Sequence, residues 1–192
     1  VCEGTAISIA IVATGTNLTY QWFRGTTPVS GATATTPTLT INSTVVADSG
    51  DYTCHITSGT CGTIISNIAK LTVNQAPAIV AQTGGGAICV GETANFSVTA
   101  TGTNLTYQWY KGTGELIVNE TSNTYSIPNA TEADSNTYYC TISSTSCAPI
   151  NTTPVTLTVK PLPTATISQG NPSTICEGES TQVIFNGTPL AV

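Results

Sequence analysis

The stretch Ala13-Thr14-Gly15-Thr16-Asn17-Leu18-Thr19-Tyr20-Gln21-Trp22 recurs letter for letter as Ala100-Thr101-Gly102-Thr103-Asn104-Leu105-Thr106-Tyr107-Gln108-Trp109. The offset between the two copies is 87 residues (109 − 22 = 87). Ten identical residues at one offset form an internal repeat, which indicates an array of similar modules. The chain has two tryptophans, so each module has one.

Two further matches extend the repeat. The stretch from Asp48 to Cys54 matches the stretch from Asp134 to Cys140 at an offset of 86 (140 − 54 = 86), so one residue is missing from the loops in between. Cys176-Glu177-Gly178 matches Cys89-Val90-Gly91 at 87 (176 − 89 = 87). We therefore predict three units: module one at 1–75, whose first strand is missing, module two at 76–160, and the N-terminal part of an incomplete third module at 161–192.

Composition excludes several classes of partner. Charged residues make up 7% of the chain, against about 25% in a typical globular protein. The net charge is −6 with four Lys and Arg residues, whereas nucleic acids and anionic membranes are bound by basic patches. No apolar run approaches the roughly 20 residues of a membrane span. We expect neither nucleic-acid binding nor membrane insertion, and no cofactor.

Strand patterns run through both modules. Ile7, Ile9 and Ile11 alternate with other residues, which predicts a half-buried strand. No stretch reads as a helix, and the joins at 74–77 and 160–163 are short and contain proline. Such linkers are semi-rigid, so we expect the modules to lie end to end. The missing first strand predicts an open sheet edge on module one.

The combined motif resembles the immunoglobulin-like β-sandwich across both full modules. An alternating strand is followed by Tyr-Gln-Trp, by Asp-Ser-Gly-Asp-Tyr-Thr-Cys in module one and by a closing Leu-Thr-Val. In that family the tryptophan fills the core, and a tyrosine two residues before the strand-F cysteine makes a corner hydrogen bond. The resemblance assigns these roles to Trp22 and Trp109, and to Tyr52 and Tyr138.

The chain departs from antibody domains at the strand-B cysteine. Thirteen residues before each tryptophan stand Ile9 and Phe96. The usual inter-sheet disulfide therefore cannot form, and we expect apolar packing to hold the sheets together. Because the two side chains replace that cysteine, Ile9 and Phe96 are predicted core residues.

A finer resemblance is to the immunoglobulin-like repeats of very large cell-surface proteins from Bacteroidetes bacteria. Those repeats read Cys-x-Gly, Tyr-Gln-Trp, Gly-x-Tyr and Leu-Thr-Val, with proline-rich joins, and module one carries all of these motifs. The resemblance implies export by the type IX secretion system and display outside the cell as adhesins, including those of gliding motility. The implied partners are neighbouring repeats of the same chain, surface polysaccharide and the secretion or motility machinery.

The seven cysteines favour an oxidising compartment and leave three pairing schemes open. Cys54 and Cys61 flank a short hairpin connection, which allows a bond between strands F and G. The resemblance to the bacterial repeats implies instead that the first and third cysteines of a module pair. An end-to-end bond from Cys2 to Cys147 of the next module is the third scheme. The candidates are Cys2, Cys54, Cys61, Cys89, Cys140 and Cys147.

No residue pattern points to catalysis or metal binding. The single histidine, His55, is predicted to face outward on strand F, and the repeat has Thr141 in its place. Asp48, Asp51 and Asp134 are potential metal ligands, but a structural role before the corner fits Asp48 and Asp134 better. Phe23 and Tyr110 follow the core tryptophans and should face outward, where aromatic rings can stack on sugars or other partners.

The leading hypothesis is a non-enzymatic structural and adhesive segment of a long secreted bacterial surface protein, which acts as a spacer rod and a weak multivalent binding surface. The alternative is an accessory module of a secreted polysaccharide-degrading enzyme. An immune-type receptor ectodomain is a weaker third interpretation because the strand-B cysteine is absent.

Overall fold

The computed structural model describes the backbone of residues 1–59, 61–169 and 183–187, and the side chains of residues 1–59 and 61–165. The predicted match at Cys176 lies outside the described residues. The described chain is built from β-strands and two single-turn 3-10 helices, Val46–Asp48 and Glu132–Asp134. Each is a tight turn just before a corner tyrosine, and the described residues contain no α-helix, as the sequence predicts.

Module one contains two sheets. In one sheet β1 pairs with β4, and in the other the order is β3-β2-β5-β6, with β7 also paired to β5. All of these pairings are antiparallel. The strands are β1 (Ile7–Ala10), β2 (Leu18–Arg24), β3 (Thr27–Pro28), β4 (Thr38–Ile41), β5 (Gly50–Ser58), β6 (Thr63–Ile65) and β7 (Ala69–Leu71).

Module two repeats this plan with two more strands. One sheet has the order β13-β10-β8, and the other has the order β12-β11-β14-β16-β9, with β15 paired to β14. Strands β9 and β16 are parallel. The strands are β8 (Ala78–Thr83), β9 (Gly86–Cys89), β10 (Ala94–Thr101), β11 (Thr106–Lys111), β12 (Glu115–Leu116), β13 (Thr124–Ile127), β14 (Asn136–Ser144), β15 (Cys147–Asn151) and β16 (Val155–Lys160).

The sheet edge of module one differs from that of module two. Strand β10 pairs with β8 on one side and β13 on the other, whereas its counterpart β1 pairs with β4 alone among the described residues. Val12, just after β1, is 94% exposed. A groove of about 680 Å³ runs beside this edge, lined by residues that include Ile11, Leu18 and Ile64.

The third segment contributes two strands, β17 (Ala165–Gln169) and β18 (Val183–Gly187). They pair with each other in antiparallel register from Ala165↔Gly187 to Gln169↔Val183.

Each module has its own hydrophobic core centred on a tryptophan. Trp22 and Trp109 are each 2% exposed, and each indole N–H donates a hydrogen bond of 2.9 Å to a backbone carbonyl oxygen. A buried tryptophan with its N–H paired carries no unsatisfied polar group. Phe96 is buried against Trp109, and Ile9 is half-buried against the core that contains Trp22.

The repeated stretch forms the turn before each tryptophan strand. Asn17 and Asn104 have φ values of 52° and 50°, in the left-handed region that asparagine tolerates better than most residues. A Cβ atom on Gly102, where φ is +148°, would lie 2.7 Å from Leu105 Cδ2 and 3.1 Å from Pro77 Cα. Gly102 therefore lets the linker pass close to this turn.

Candidate functional site

The junction between the modules is closed by a disulfide. Cys2 and Cys147 are bonded although 145 residues separate them, and their Cα atoms are 5.0 Å apart. Cys2 lies beside the end of module one, where it forms a parallel bridge with Asn74. Cys147 begins β15, in the hairpin at the near end of module two. The end-to-end scheme is therefore the one that the chain adopts.

The two schemes within a module are wrong. Cys54 and Cys61 are both free thiols, and so are Cys89 and Cys140. Cys54 lies in the core with no exposed surface, whereas Cys61 is exposed at the β5–β6 hairpin. Cys54 faces the core from the middle of β5, four residues before the strand ends at Ser58, whereas Cys61 lies beyond that end at the surface. Burial raises the pKa of the Cys54 and Cys140 thiols, so both behave as small apolar core residues.

Hydrogen bonds fix the linker on both sides of the disulfide. The Glu3 carboxylate accepts a bond of 2.9 Å from the backbone N–H of Ala76. The Asn74 side chain, 8% exposed, donates to the carbonyl oxygen of Thr145 at 3.0 Å. Both contacts join the end of module one to the linker or to module two, so the relative position of the modules is held at several points.

The repeated turn of module two also binds the linker. The backbone N–H of Gln75 donates to the Thr103 hydroxyl at 2.8 Å, and the Thr103 N–H donates back to the Gln75 carbonyl oxygen at 3.2 Å. The Ser144 hydroxyl donates to the Thr103 carbonyl oxygen at 2.6 Å. Pro77 is buried in the same region. The linker is thus packed and hydrogen-bonded along its length.

A corner tyrosine holds the loop before strand β5 or β14 in each module. The Tyr52 and Tyr138 hydroxyls each donate a hydrogen bond of 2.8 Å, to the carbonyl oxygens of Asp48 and Asp134. Burial, reinforced by the nearby Tyr125 and Asp134, raises the pKa of Tyr138 to about 12. The neutral hydroxyl is therefore the form that the fold stabilises.

The two aspartates before the corner tyrosines, Asp48 and Asp134, accept hydrogen bonds that hold the turn. The Asp48 carboxylate accepts a hydrogen bond from the Val45 N–H at 2.8 Å. Asp134 accepts one from the N–H and one from the hydroxyl of Thr131, each at 2.8 Å. These bonds hold the pKa of Asp134 below its usual value. Within residues 1–59, 61–169 and 183–187, no group of three or more His, Cys, Asp and Glu side chains is arranged to hold a metal ion.

Outward-facing aromatic pairs lie on the tryptophan-bearing sheets. Phe23 stacks on His55 in module one, with ring centroids 4.1 Å apart. Tyr110 stacks on Tyr139 in module two, with centroids 5.2 Å apart and the rings within 10° of parallel. All four rings are half-buried. The His55 ring therefore packs against the Phe23 ring.

The hydrogen bonds across the junction could not be predicted from the sequence. Glu3, Asn74, Ser144 and Thr145 carry no motif that marks them. Thr103 alone had a signal, because it lies in the repeated stretch, but its counterpart Thr16 in module one has no linker packed against it among the described contacts. The contacts depend on how two modules meet, which no local pattern encodes.

No described helix has the length and apolar character that a membrane crossing requires.

Comparisons with known proteins agree on the fold. The family described as "Ig-like domain CHU_C associated" matches residues 74–161. No curated protein sequence matches the chain.

Three solved structures illustrate the likeness. A three-immunoglobulin structure of titin is 17% identical with a TM-score of 0.67, over 98% of this chain and 72% of that chain. An amphioxus IgVJ-C2 molecule is 19% identical with a TM-score of 0.58, over 82% and 99%. Murine CEACAM1b is 15% identical with a TM-score of 0.56, over 83% and 95%. Together with the paired sheets and tryptophan cores, these matches show that the chain is an all-β protein with an immunoglobulin-like fold.

Proposed function

We propose that the chain is a non-enzymatic structural and adhesive segment of an extracellular protein, in which immunoglobulin-like modules are locked end to end as a stiff spacer. The observation that carries this proposal is the Cys2–Cys147 bond across the junction. A disulfide that joins two modules limits their relative motion without contributing to either core. It also needs an oxidising compartment, which supports a location outside the cell.

The finer assignment follows the resemblance of the repeats. The match of residues 74–161 to an immunoglobulin-like family described as CHU_C associated supports an immunoglobulin-like repeat, and the bacterial surface location comes from the motif resemblance alone. We propose a Bacteroidetes adhesin exported by type IX secretion as the parent, with a role at the cell surface such as gliding motility. Detection of the parent protein on intact cells, and its loss from the surface when type IX secretion is blocked, tests this assignment.

Small-angle X-ray scattering tests the proposed spacer role. The oxidised chain is expected to scatter as an extended particle in which the two modules keep one fixed relative position. The Cys2→Ser/Cys147→Ser double variant should show a broader distribution of distances, while Cys61→Ser, at an exposed free thiol that is not part of the junction, should match the unmodified chain. A flexible profile for the oxidised chain would count against the spacer role.

The aromatic pairs support the adhesive half. Phe23–His55 and Tyr110–Tyr139 place one partly exposed stack on each module. Repeated weak sites on a stiff support raise overall affinity through effective concentration. The candidate ligand is a neutral or cationic polysaccharide, because the chain has a net charge of −6.

Affinity electrophoresis in gels that contain polysaccharide tests this half. The unmodified chain should be retarded, and Phe23→Ser/Tyr110→Ser should migrate faster than it does. Val118→Ser, at a residue 70% exposed and outside both stacks, is the control and should be retarded normally. Equal retardation of the aromatic variant would remove the stacks as binding sites, and no retardation on any polysaccharide would leave the spacer role alone.

A further inference from the structure

Two free cysteines occupy the positions that form the bond in the other module. Cys89 is the repeat counterpart of Cys2, at an offset of 87 (89 − 2 = 87), and Cys61 is the counterpart of Cys147, at 86 (147 − 61 = 86). Cys61 is exposed and Cys89 is half-exposed. The equivalent pair is bonded in this structure, which distinguishes these thiols from the buried Cys54 and Cys140.

The backbone around Cys89 has the same pairing and hydrogen bonds as the backbone around Cys2. Each of the two cysteines lies in parallel register beside a residue at the C-terminal end of its module, Asn74 or Lys160. In each case the residue after the cysteine donates its N–H to the carbonyl oxygen of that residue at 2.9 Å, and the following glycine donates to the loop before the 3-10 turn at 2.7 or 2.8 Å. The pairs are Glu3 to Asn74 and Gly4 to Thr44 in module one, and Val90 to Lys160 and Gly91 to Ala130 in module two.

Cys61 is likewise placed as Cys147 is. It follows β5 in the hairpin to β6, as Cys147 follows β14 in the hairpin to β15. Its N–H donates to the Ser58 carbonyl oxygen at 2.7 Å, and the counterpart of Ser58, Ser144, pairs with Cys147 across the hairpin. The far end of module one therefore carries the same hairpin cysteine that module two uses at the junction.

We propose that Cys89 and Cys61 are docking points for neighbouring immunoglobulin-like modules through the same bond. Cys89 forms a disulfide with the hairpin cysteine of a module that follows module two. Cys61 forms one with the N-terminal cysteine of a module that precedes module one. In each step two thiols lose two protons and two electrons to a disulfide oxidant, which is reduced to two thiols as the new S–S bond forms. This inference rests on the proposed spacer function and extends it from one junction to every junction of an array.

The polar contacts of the described junction are not all repeated at the far end of module two. Val90 stands where Glu3 is, and Lys160 stands where Asn74 is. The N-terminal cysteine and its backbone setting are therefore what the two ends share, and these side-chain hydrogen bonds are specific to the first junction.

A chain with a completed third module tests the inference. A copy of residues 106–160 is added after Val192, whose repeat counterpart is Leu105 (192 − 87 = 105). Trypsin then separates the cysteines, because Arg24, Lys70 and Lys111 are cleavage sites and Lys160 is followed by proline. Under non-reducing conditions, the fragment 71–111 with Cys89 should be linked to the added fragment with the second copy of Cys147.

The bond between Cys2 and Cys147 in the same molecule is the internal reference. If it forms while Cys89 stays a free thiol, the further inference fails and the spacer proposal stands. If neither bond forms, the spacer proposal fails as well. Cys89→Ser should abolish the new link, free one thiol in the added segment and leave the first bond intact.

Three tandem copies of residues 75–160, in which Gln75 separates Lys160 from Ala76 as it separates Asn74 from Ala76, provide a second test that does not depend on a hybrid third module. The core of module two contains residues of module two alone, so each copy has a complete core. Cys89 of the first copy should bond to Cys147 of the second, and Cys89 of the second to Cys147 of the third. Bonds within single copies would overturn the inference.

Discussion

The side chain of Asn74, at the end of module one, donates a hydrogen bond of 3.0 Å to the carbonyl oxygen of Thr145, in the hairpin of module two. The disulfide joins the same two regions, because Cys2 forms a β-bridge with Asn74 and Cys147 is two residues after Thr145. A covalent bond and a buried hydrogen bond therefore act side by side. Loss of one weakens the junction without releasing it.

Asn74→Ala should loosen the linker but leave both cores folded. A buried hydrogen bond contributes about 1 kcal/mol, so we expect amide exchange at Gln75 and Ala76 to rise about fivefold. Lys160→Ala, at the repeat counterpart, is the matched control and should leave these amides unchanged. Identical exchange in the Asn74 variant would show that the side chain does not restrain the linker.

Force spectroscopy should show that the disulfide shields most of the chain from tension. Pulled from its two ends, the oxidised chain cannot extend between Cys2 and Cys147, which are 145 positions apart. At up to about 3.6 Å per residue, reduction should release roughly 500 Å of contour length. Cys2→Ser/Cys147→Ser should release the same length without reductant, and Cys61→Ser should behave as the unmodified chain. Full extension of the oxidised chain would contradict the bond.

Each tryptophan should stabilise its own module. Trp22→Ala and Trp109→Ala each remove a fully packed indole, and such truncations cost about 3–5 kcal/mol. Hydrogen exchange should show increased opening in the module that carries the change. Val118→Ala, at an exposed site, should stay within about 0.5 kcal/mol of the unmodified chain. Equal opening in both modules after either change would mean that the cores are not separate.

Features that depend on local sequence could be predicted, whereas the junction depends on contacts between residues far apart in the chain and could not. The repeat located Trp22, Trp109 and the strands that carry them, since a strand is specified by its own alternating residues. The junction needed the relative placement of two modules, so cysteine spacing left three schemes open. The Cys54–Cys61 scheme failed because Cys54 faces the core. The scheme that pairs the first and third cysteines failed because these two lie at opposite ends of a module, Cys2 beside Asn74 and Cys61 in the β5–β6 hairpin.

The buried hydroxyl of Tyr138 should make module two sensitive to alkali. Its pKa is raised to about 12 in the folded state, above the value of about 10 in an unfolded chain. The stabilisation is therefore complete below pH 10 and is lost as the pH rises towards 12. Tyr138→Phe should flatten the fall in stability over this range, while costing about 1 kcal/mol at neutral pH through the lost hydrogen bond.

Chemical denaturation at a series of pH values measures this effect. Tyr110→Phe is the control, because its ring lies in an outward stack and it should retain the alkaline slope of the unmodified chain. A Tyr138→Phe slope equal to that of the control would show that the pKa of the corner hydroxyl does not differ between the folded and the unfolded chain.

Disulfide mapping of the oxidised chain by tryptic digestion and mass spectrometry, with free thiols blocked first, tests the central claim most directly. The cleavage sites separate Cys2, the pair Cys54 and Cys61, and Cys89 into three fragments, with the remaining cysteines in a fourth that extends from residue 112. The end-to-end junction predicts that the fragment 1–24 is linked to the fragment that begins at residue 112, with the bond at Cys147. A link from 1–24 to 25–70, or a bond within 25–70, would contradict it.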